Sequence, residues 1–255
     1  MYHRHDPPFV ENFLAISKNN EKALSRVENF NFKLIKEILN VQHRFAAYHL
    51  WTINPSIGVG FSKAKPVLFS TYHKNLFTFF SAFDLTKRGF YGPARTLMRH
   101  TFESLIIAKF CAISKDNTLL QKWLSGEPIY FANGILKKII VPNGVDAFSE
   151  FWELMCGYSH STIYAQQISP EWKDNKKDIR YNFIFLRMLL ECNYHLLNVH
   201  LITSSVRYYA ESYTDKDEIK KLKSSMRELF RTSKMEMLPT PKTLIANYKR
   251  KWVLK

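Results

Sequence analysis

Apolar residues recur along this chain at spacings of three and four, and glycine and proline interrupt them at few places. That period predicts helices. A first helix is expected from about Glu21 to Trp51, ending before Asn54-Pro55 and the Gly58-x-Gly60 pair. A second opens at Pro66, a residue favoured in the first helical turn, and runs to about Lys87, where Arg88-Gly89 breaks it. A third opens at Gly92-Pro93 and runs to about Ile113. Shorter helices are expected around Asn117–Leu124, Tyr130–Ile140 and Asp146–Met155, the last with Asp146 as its N-cap. Ser169-Pro170 marks a break before a long helix from about Asp178 to Glu211. A charged helix, Asp215 to Phe230, is expected to pack on the outside, and Leu238-Pro239-Thr240-Pro241 sets the C-terminal segment apart from it.

Composition strengthens the helical reading. Only 8 Gly and 10 Pro in 255 residues means few turns and long elements, which argues against an all-β sandwich. Short Val/Ile-rich runs after glycines, the mark of a doubly wound α/β fold, do not recur. The expectation is an all-α protein with one helical domain over residues 1–237 and a basic C-terminal tail over 238–255. Cys111, Cys156 and Cys192 are far apart, odd in number and set among apolar residues, as buried free thiols of a reducing compartment would be. The N-terminus lacks a signal-peptide core. The longest apolar stretch, Leu105 to Ile113, is interrupted by Lys109 and is far short of the ~20 residues a membrane span needs. A soluble cytoplasmic protein without membrane contact is expected.

Charge adds a partner. With 37 Lys+Arg and 22 Asp+Glu the net charge is +15, and the end of the chain reads Tyr248-Lys249-Arg250-Lys251-Trp252. Lys249, Arg250, Lys251 and Trp252 are candidate nucleic-acid-binding residues, because cations grip phosphates and aromatic rings stack on bases. A solvated basic tail, or one docked on an acidic partner, is the other reading.

The third helix carries the sharpest signal. Met98, Phe102, Leu105, Ile106, Phe110 and Ile113 spread over a broad apolar face, so the helix is expected at the centre of a bundle. Arg95, Arg99 and Glu103 nevertheless form a line at i, i+4 and i+8. Buried charges must be paired. Either these residues form an ion-pair network that fixes helix register, or the arginines face a cleft and bind an anion through their planar forks. His100 follows Arg95 at an angle of about 140° on an ideal helix, so the two would meet across a dimer or on one extended substrate. A second signal is Gly157-Tyr158-Ser159-His160, where Gly157 suits a helix C-cap and leaves His160 at a helix end. There His160 would transfer protons or hold a loop by bonding backbone carbonyls. No HExxH, CxxC, GxSxG or GxGxxG is present, and neither metal nor cofactor is expected.

The stretch from Phe83 to Glu103, with its glycine turn, Leu97-x-Arg99-x-x-x-Glu103 and a later Ser159-His160, resembles a group of bacterial helical proteins similar to the HEPN superfamily (higher eukaryotes and prokaryotes nucleotide-binding). The resemblance covers roughly Pro66 to Thr162. Many HEPN proteins are metal-independent ribonucleases of toxin or anti-phage systems whose signature is arginine, four to six residues, then histidine. Arg95 to His100 fits that spacing. The resemblance implies attack by the RNA 2′-hydroxyl, with His100 transferring protons, Arg95 stabilising the phosphorane, and a homodimer composing the site. Arg99, Glu103 and His160 join the candidate catalytic set. An alternative is a non-catalytic HEPN-like subunit that binds nucleic acid or a protein partner, such as an antitoxin. A third reading uses the same arginines to bind a nucleotide.

Overall fold

The computed structural model describes residues 9–50, 64–114, 117–141, 146–159, 176–201, 216–232 and 239–254. These are almost wholly helical, as the apolar period requires: α1 (Phe9–Val27), α2 (Asn29–Leu50), α3 (Ala64–Arg88), α4 (Tyr91–Ile113), α5 (Thr118–Ser125), α6 (Ala147–Ser159), α7 (Lys176–His195), α8 (Lys216–Thr232) and α9 (Pro239–Lys249). One two-stranded antiparallel ladder joins β1 (Ile139–Ile140) to β2 (Val253–Leu254). Among the described residues no helix is long and apolar enough to cross a membrane.

Two helices form the middle of the bundle. On α4, Ala94, Met98, Phe102, Leu105, Ile106 and Ala108 are buried against α3, α6 and α7. On α7 every residue from Asn182 to Leu190 is buried. A helix covered on all sides must be apolar nearly all round, which is what the α4 sequence shows. Phe102 meets the rings of Phe131 and Phe151 edge-on at 6.0 and 5.0 Å, and Phe151 meets Phe185 at 5.2 Å, so aromatic packing ties α4, α6 and α7 together.

Helix ends follow local chemistry. Gly89 ends α3 at φ 92°, where the Gly89 amide donates to the Thr86 carbonyl and the Phe90 amide to the Leu85 carbonyl. Gly126 ends α5 in the same way at φ 75°, its amide and that of Glu127 capping Trp123 and Lys122. This paired closure needs a left-handed residue, the conformation glycine adopts without steric cost. The Asp146 side chain accepts from the Ser149 amide at 3.2 Å, the expected N-cap of α6.

Several boundaries differ from expectation. The helix expected over Glu21–Trp51 is two, α1 and α2, meeting at Glu28. Bonds from the Glu28 amide to Leu24 and from the Phe32 amide to Glu28 carry helical hydrogen bonding across the junction, so the sequence pattern shows no break. The segment expected as a helix over Tyr130–Ile140 is a π turn, a 3-10 turn and strand β1. The long helix ends as α7 at His195 and widens into a π-helical turn, Leu196–Leu201; the rest of its expected span lies outside the described residues. Gly157 does not cap α6 but lies within it.

The largest difference is at the C-terminus. Residues expected to trail as a basic tail are folded: α9 packs on α6 and α7, β2 pairs with β1, and Leu244, Tyr248 and Trp252 are buried. The reason is Lys109, the charge that interrupts the apolar stretch of α4. Its ammonium donates to the carbonyls of Tyr248 and of Arg250, the latter at 3.0 Å, at the C-terminal end of α9. It also lies 4.8 Å from the Tyr248 ring centroid and 4.3 Å from that of Trp252. A cation there satisfies helix-end carbonyls, opposes the helix dipole and gains from two ring faces.

Candidate functional site

Arg95, Arg99, His100 and Glu103 all stand on α4, but they face different surroundings. Arg95 is fully buried. Its Nε donates to Asn182 Oδ1 at 2.7 Å, and its Nη2 donates to Asp178 Oδ1 at 2.6 Å and to the Asp178 carbonyl at 3.3 Å. The guanidinium carbon lies 3.9 Å from the centroid of the Tyr158 ring. Asn182 is itself held: its amide donates to Thr86 Oγ1 at 3.3 Å and to the Tyr91 carbonyl at 3.4 Å. Arg95 therefore connects α4 to α6 and α7, with α3 one bond further on. This is the paired, buried arrangement that the charged line on an apolar helix requires.

Arg99 and Glu103 pair with each other, Nε to Oε1 at 2.9 Å, and both are partly exposed. Glu103 Oε1 also accepts from Trp152 Nε1 on α6 at 2.9 Å. His100 is exposed, while Arg95 is buried, as their angle on the helix demands. The structure does not bring Arg95 and His100 together within one chain. His160 lies outside the described residues.

His100 and Glu103 do come together at a cavity of about 120 Å³. Ser104 on α4, Thr71, Lys74 and Asn75 on α3, and Trp123 on α5 complete its polar and aromatic lining. From this cavity a chain of side-chain hydrogen bonds runs into the core. Ser104 Oγ donates to Asn75 Oδ1 at 2.8 Å, Asn75 Nδ2 to Asn193 Oδ1 at 3.2 Å, and Asn193 Nδ2 to Gln42 Oε1 at 3.2 Å. The chain ends where Gln42 Nε2 donates to the Leu190 carbonyl at 2.7 Å. Each amide fixes the orientation of the next, so the cavity floor is rigidly set. The volume suits a phosphate-sized group and is below the roughly 300–1,000 Å³ of a drug-sized pocket.

The C-terminal candidates are placed differently from one another. Trp252 is buried, its Nε1 donating to the Asn247 carbonyl at 2.9 Å and its ring 5.4 Å from that of Phe148. It is committed to the core and offers no face to a base, which corrects its expected role. Lys249 is paired with Glu191 on α7. Arg250 and Lys251 are exposed.

Burial governs the thiols. Cys111 and Cys192 are buried and free, and desolvation pushes Cys111 up to about 12 and Cys192 well above the usual thiol range. Cys156 is half-buried and is also raised, chiefly by burial. None has the lowered pKa of a nucleophilic cysteine. Among the described residues no group of three or more His, Cys, Asp or Glu side chains is placed to share a metal ion.

Sequence reasoning missed Asp178, Asn182 and Tyr158, the residues that hold Arg95. Asn182 stands just before the apolar run Phe183-Ile184-Phe185-Leu186, and a buried amide there needs a partner, which is the signal that was available. Lys74, Asn75, Ser104 and Trp123 gave none, because they converge only through the packing of α3 and α5 on α4. No family model, no curated protein and no solved structure matches this chain.

Proposed function

We propose that this chain is an HEPN-like protein of toxin or anti-phage type that cleaves RNA at the α4 cavity. The observation that carries the reading is the exposed His100 at the rim of a cavity that Glu103, Lys74 and Ser104 also line. In this mechanism the Glu103 carboxylate takes the proton from a ribose 2′-hydroxyl. The 2′-oxygen forms a bond to the adjacent phosphorus, the bond from phosphorus to the 5′-oxygen breaks, and the His100 imidazolium delivers a proton to that leaving oxygen. Lys74 offsets charge on the phosphorane oxygens. Products are a 2′,3′-cyclic phosphate and a 5′-hydroxyl. The net charge of +15 supports attraction of a polyanion. Arg95 acts here as a positioning residue, since its Nε and Nη2 are held by Asn182 and Asp178 and its face by Tyr158.

Wild type and His100→Ala are compared by expression in bacteria, scoring growth and total RNA, and by incubating the purified chains with RNA in the presence of a chelator. RNA fragments ending in cyclic phosphate from wild type alone, with equal melting temperatures, support the reading. Intact RNA in every arm overturns it.

The burial of Arg95 favours a second reading, a non-catalytic subunit that binds RNA or a protein partner. Salt-dependent RNA binding that is indifferent to His100→Ala supports this alternative.

A further inference from the structure

A groove of about 610 Å³ lies between the π-helical turn after α7, the last turns of α8, and the end of α9. It shares no lining residue with the α4 cavity. Arg227 and Arg231 stand on one side, four apart on α8, so their guanidiniums project from the same helix face. Neither is engaged by a carboxylate among the described residues. Glu228, next to Arg227 in sequence, lines a different groove, against α2. Lys249 at the end of α9 also lines the groove, held by Glu191. Three cations and one carboxylate leave a net charge of +2 with histidine neutral. A phosphate monoester carries about −1.5 to −2 near neutral pH, the matching charge.

The remaining lining has a different character. Tyr194 and Phe230 form an apolar wall, their rings 6.1 Å apart, and His195 and Asn198 add hydrogen-bonding groups. Asn198 is presented by the π turn, a helix defect that re-aims side chains and recurs at functional sites. The groove is several times larger than one phosphate and falls within the range of small-molecule sites. The end of α8 that carries the arginines is anchored by Arg187, whose Nη2 donates to the Phe230 carbonyl at 2.8 Å.

We propose that this groove binds a phosphate monoester on a ligand of nucleotide size, either a free nucleoside monophosphate or the phosphorylated end of an RNA strand. The two arginines hold the phosphate as forked donors. The Tyr194–Phe230 wall receives the sugar or base, and Asn198 and His195 hydrogen-bond its edge.

The full chain is titrated by calorimetry with adenosine 5′-monophosphate, adenosine, inorganic phosphate, and one short RNA with a 5′-phosphate or a 5′-hydroxyl. Wild type, Arg227→Gln/Arg231→Gln and Glu191→Gln are compared. The expected result is at least tenfold tighter binding of the monophosphate than of adenosine or inorganic phosphate. The double variant loses at least tenfold at an unchanged melting temperature, because both arginines are exposed. Glu191→Gln removes the carboxylate and tightens binding. Binding of the 5′-phosphorylated RNA without the free nucleotide also supports the proposal and assigns the source to a strand end. Equal affinity for phosphorylated and unphosphorylated ligands, inorganic phosphate binding as tightly as the nucleotide, no binding of any probe, or indifference to the double variant overturns it. His100→Ala leaves this binding intact, so the site stands or falls apart from RNA cleavage.

Discussion

Arg95 and Asp178 are joined at 2.6 Å between the middle of the bundle and the first turn of α7, with the arginine fully buried and the aspartate 29% exposed. The asymmetry matters. Asp178 retains water and sits where a helix N-terminus favours negative charge, while the cost of burial falls on the guanidinium. Asn182 and the Tyr158 ring offset that cost by filling a donor direction and a face.

Removing Arg95 is therefore a stability experiment. Arg95→Ala is expected to destabilise the fold by about 2–4 kcal/mol, from the cavity it leaves and the buried Asn182 side chain it strands, since Asp178 keeps its water. Arg95→Lys is expected to recover only part of this, since one ammonium cannot bond Asn182 and Asp178 while stacking on Tyr158. Chemical denaturation measures both. An unchanged denaturation midpoint together with loss of the proposed RNA binding would make Arg95 a ligand-contacting residue instead.

Inside α6, glycine has no conformational task. Gly157 is helical, and a Cβ there would meet nothing within 4 Å. Gly157→Ala is expected to stabilise the protein by about 0.5–1 kcal/mol by restricting the unfolded chain. A lower melting temperature for this variant would show that the position needs glycine for a reason outside local packing.

The amide chain below the cavity gives a sharper test. Asn193 donates to Gln42 and accepts from Asn75, and all three are buried. Asn193→Leu strands both neighbours and is expected to cost about 2–4 kcal/mol, as two orphaned buried groups at ~1–3 kcal/mol each with partial relaxation. If Asn75 loses its anchor, Ser104 reorients as well, so the cleavage proposed for this cavity is expected to fall in the same variant. Wild-type stability would show that water replaces the amide.

What was legible in the sequence was whatever depended on one helix at a time. The periodicity of Met98, Phe102, Leu105 and Ile106 placed α4 at the centre, and Asp146 announced the start of α6. The Arg99–Glu103 pair was readable from its spacing alone. Convergence between helices was not readable, which is why the lining of both the cavity and the α8 groove escaped. The C-terminus misled for a related reason. Lys249, Arg250 and Lys251 dominate its composition, yet its fate is set by Tyr248, Trp252 and a lysine that stands 139 residues before Tyr248. Lys109 read as an interruption of an apolar stretch because its partners are helix-end carbonyls, which no side-chain pattern records.

Lys109 also makes the fold respond to alkaline pH. Burial lowers its pKa from the ordinary 10.5 to about 8, and the neighbouring Cys192 acts in the opposite direction. Between those two values the unfolded chain binds a proton that the folded chain has released. Stability from this residue therefore rises with pH across that window, by on the order of 3 kcal/mol for a shift of this size. Cys192 and Tyr248, both raised by burial, contribute the reverse slope near and above their ordinary values, so the signal is a difference between chains. Unfolding free energies of wild type and Lys109→Met are compared at pH 7.5 and pH 9.5. The wild type is expected to gain relative to the variant as pH rises, because a methionine side chain has no proton to lose. Parallel pH profiles would mean that the two carbonyls and the two rings hold the ammonium charged throughout, and that its burial is fully compensated.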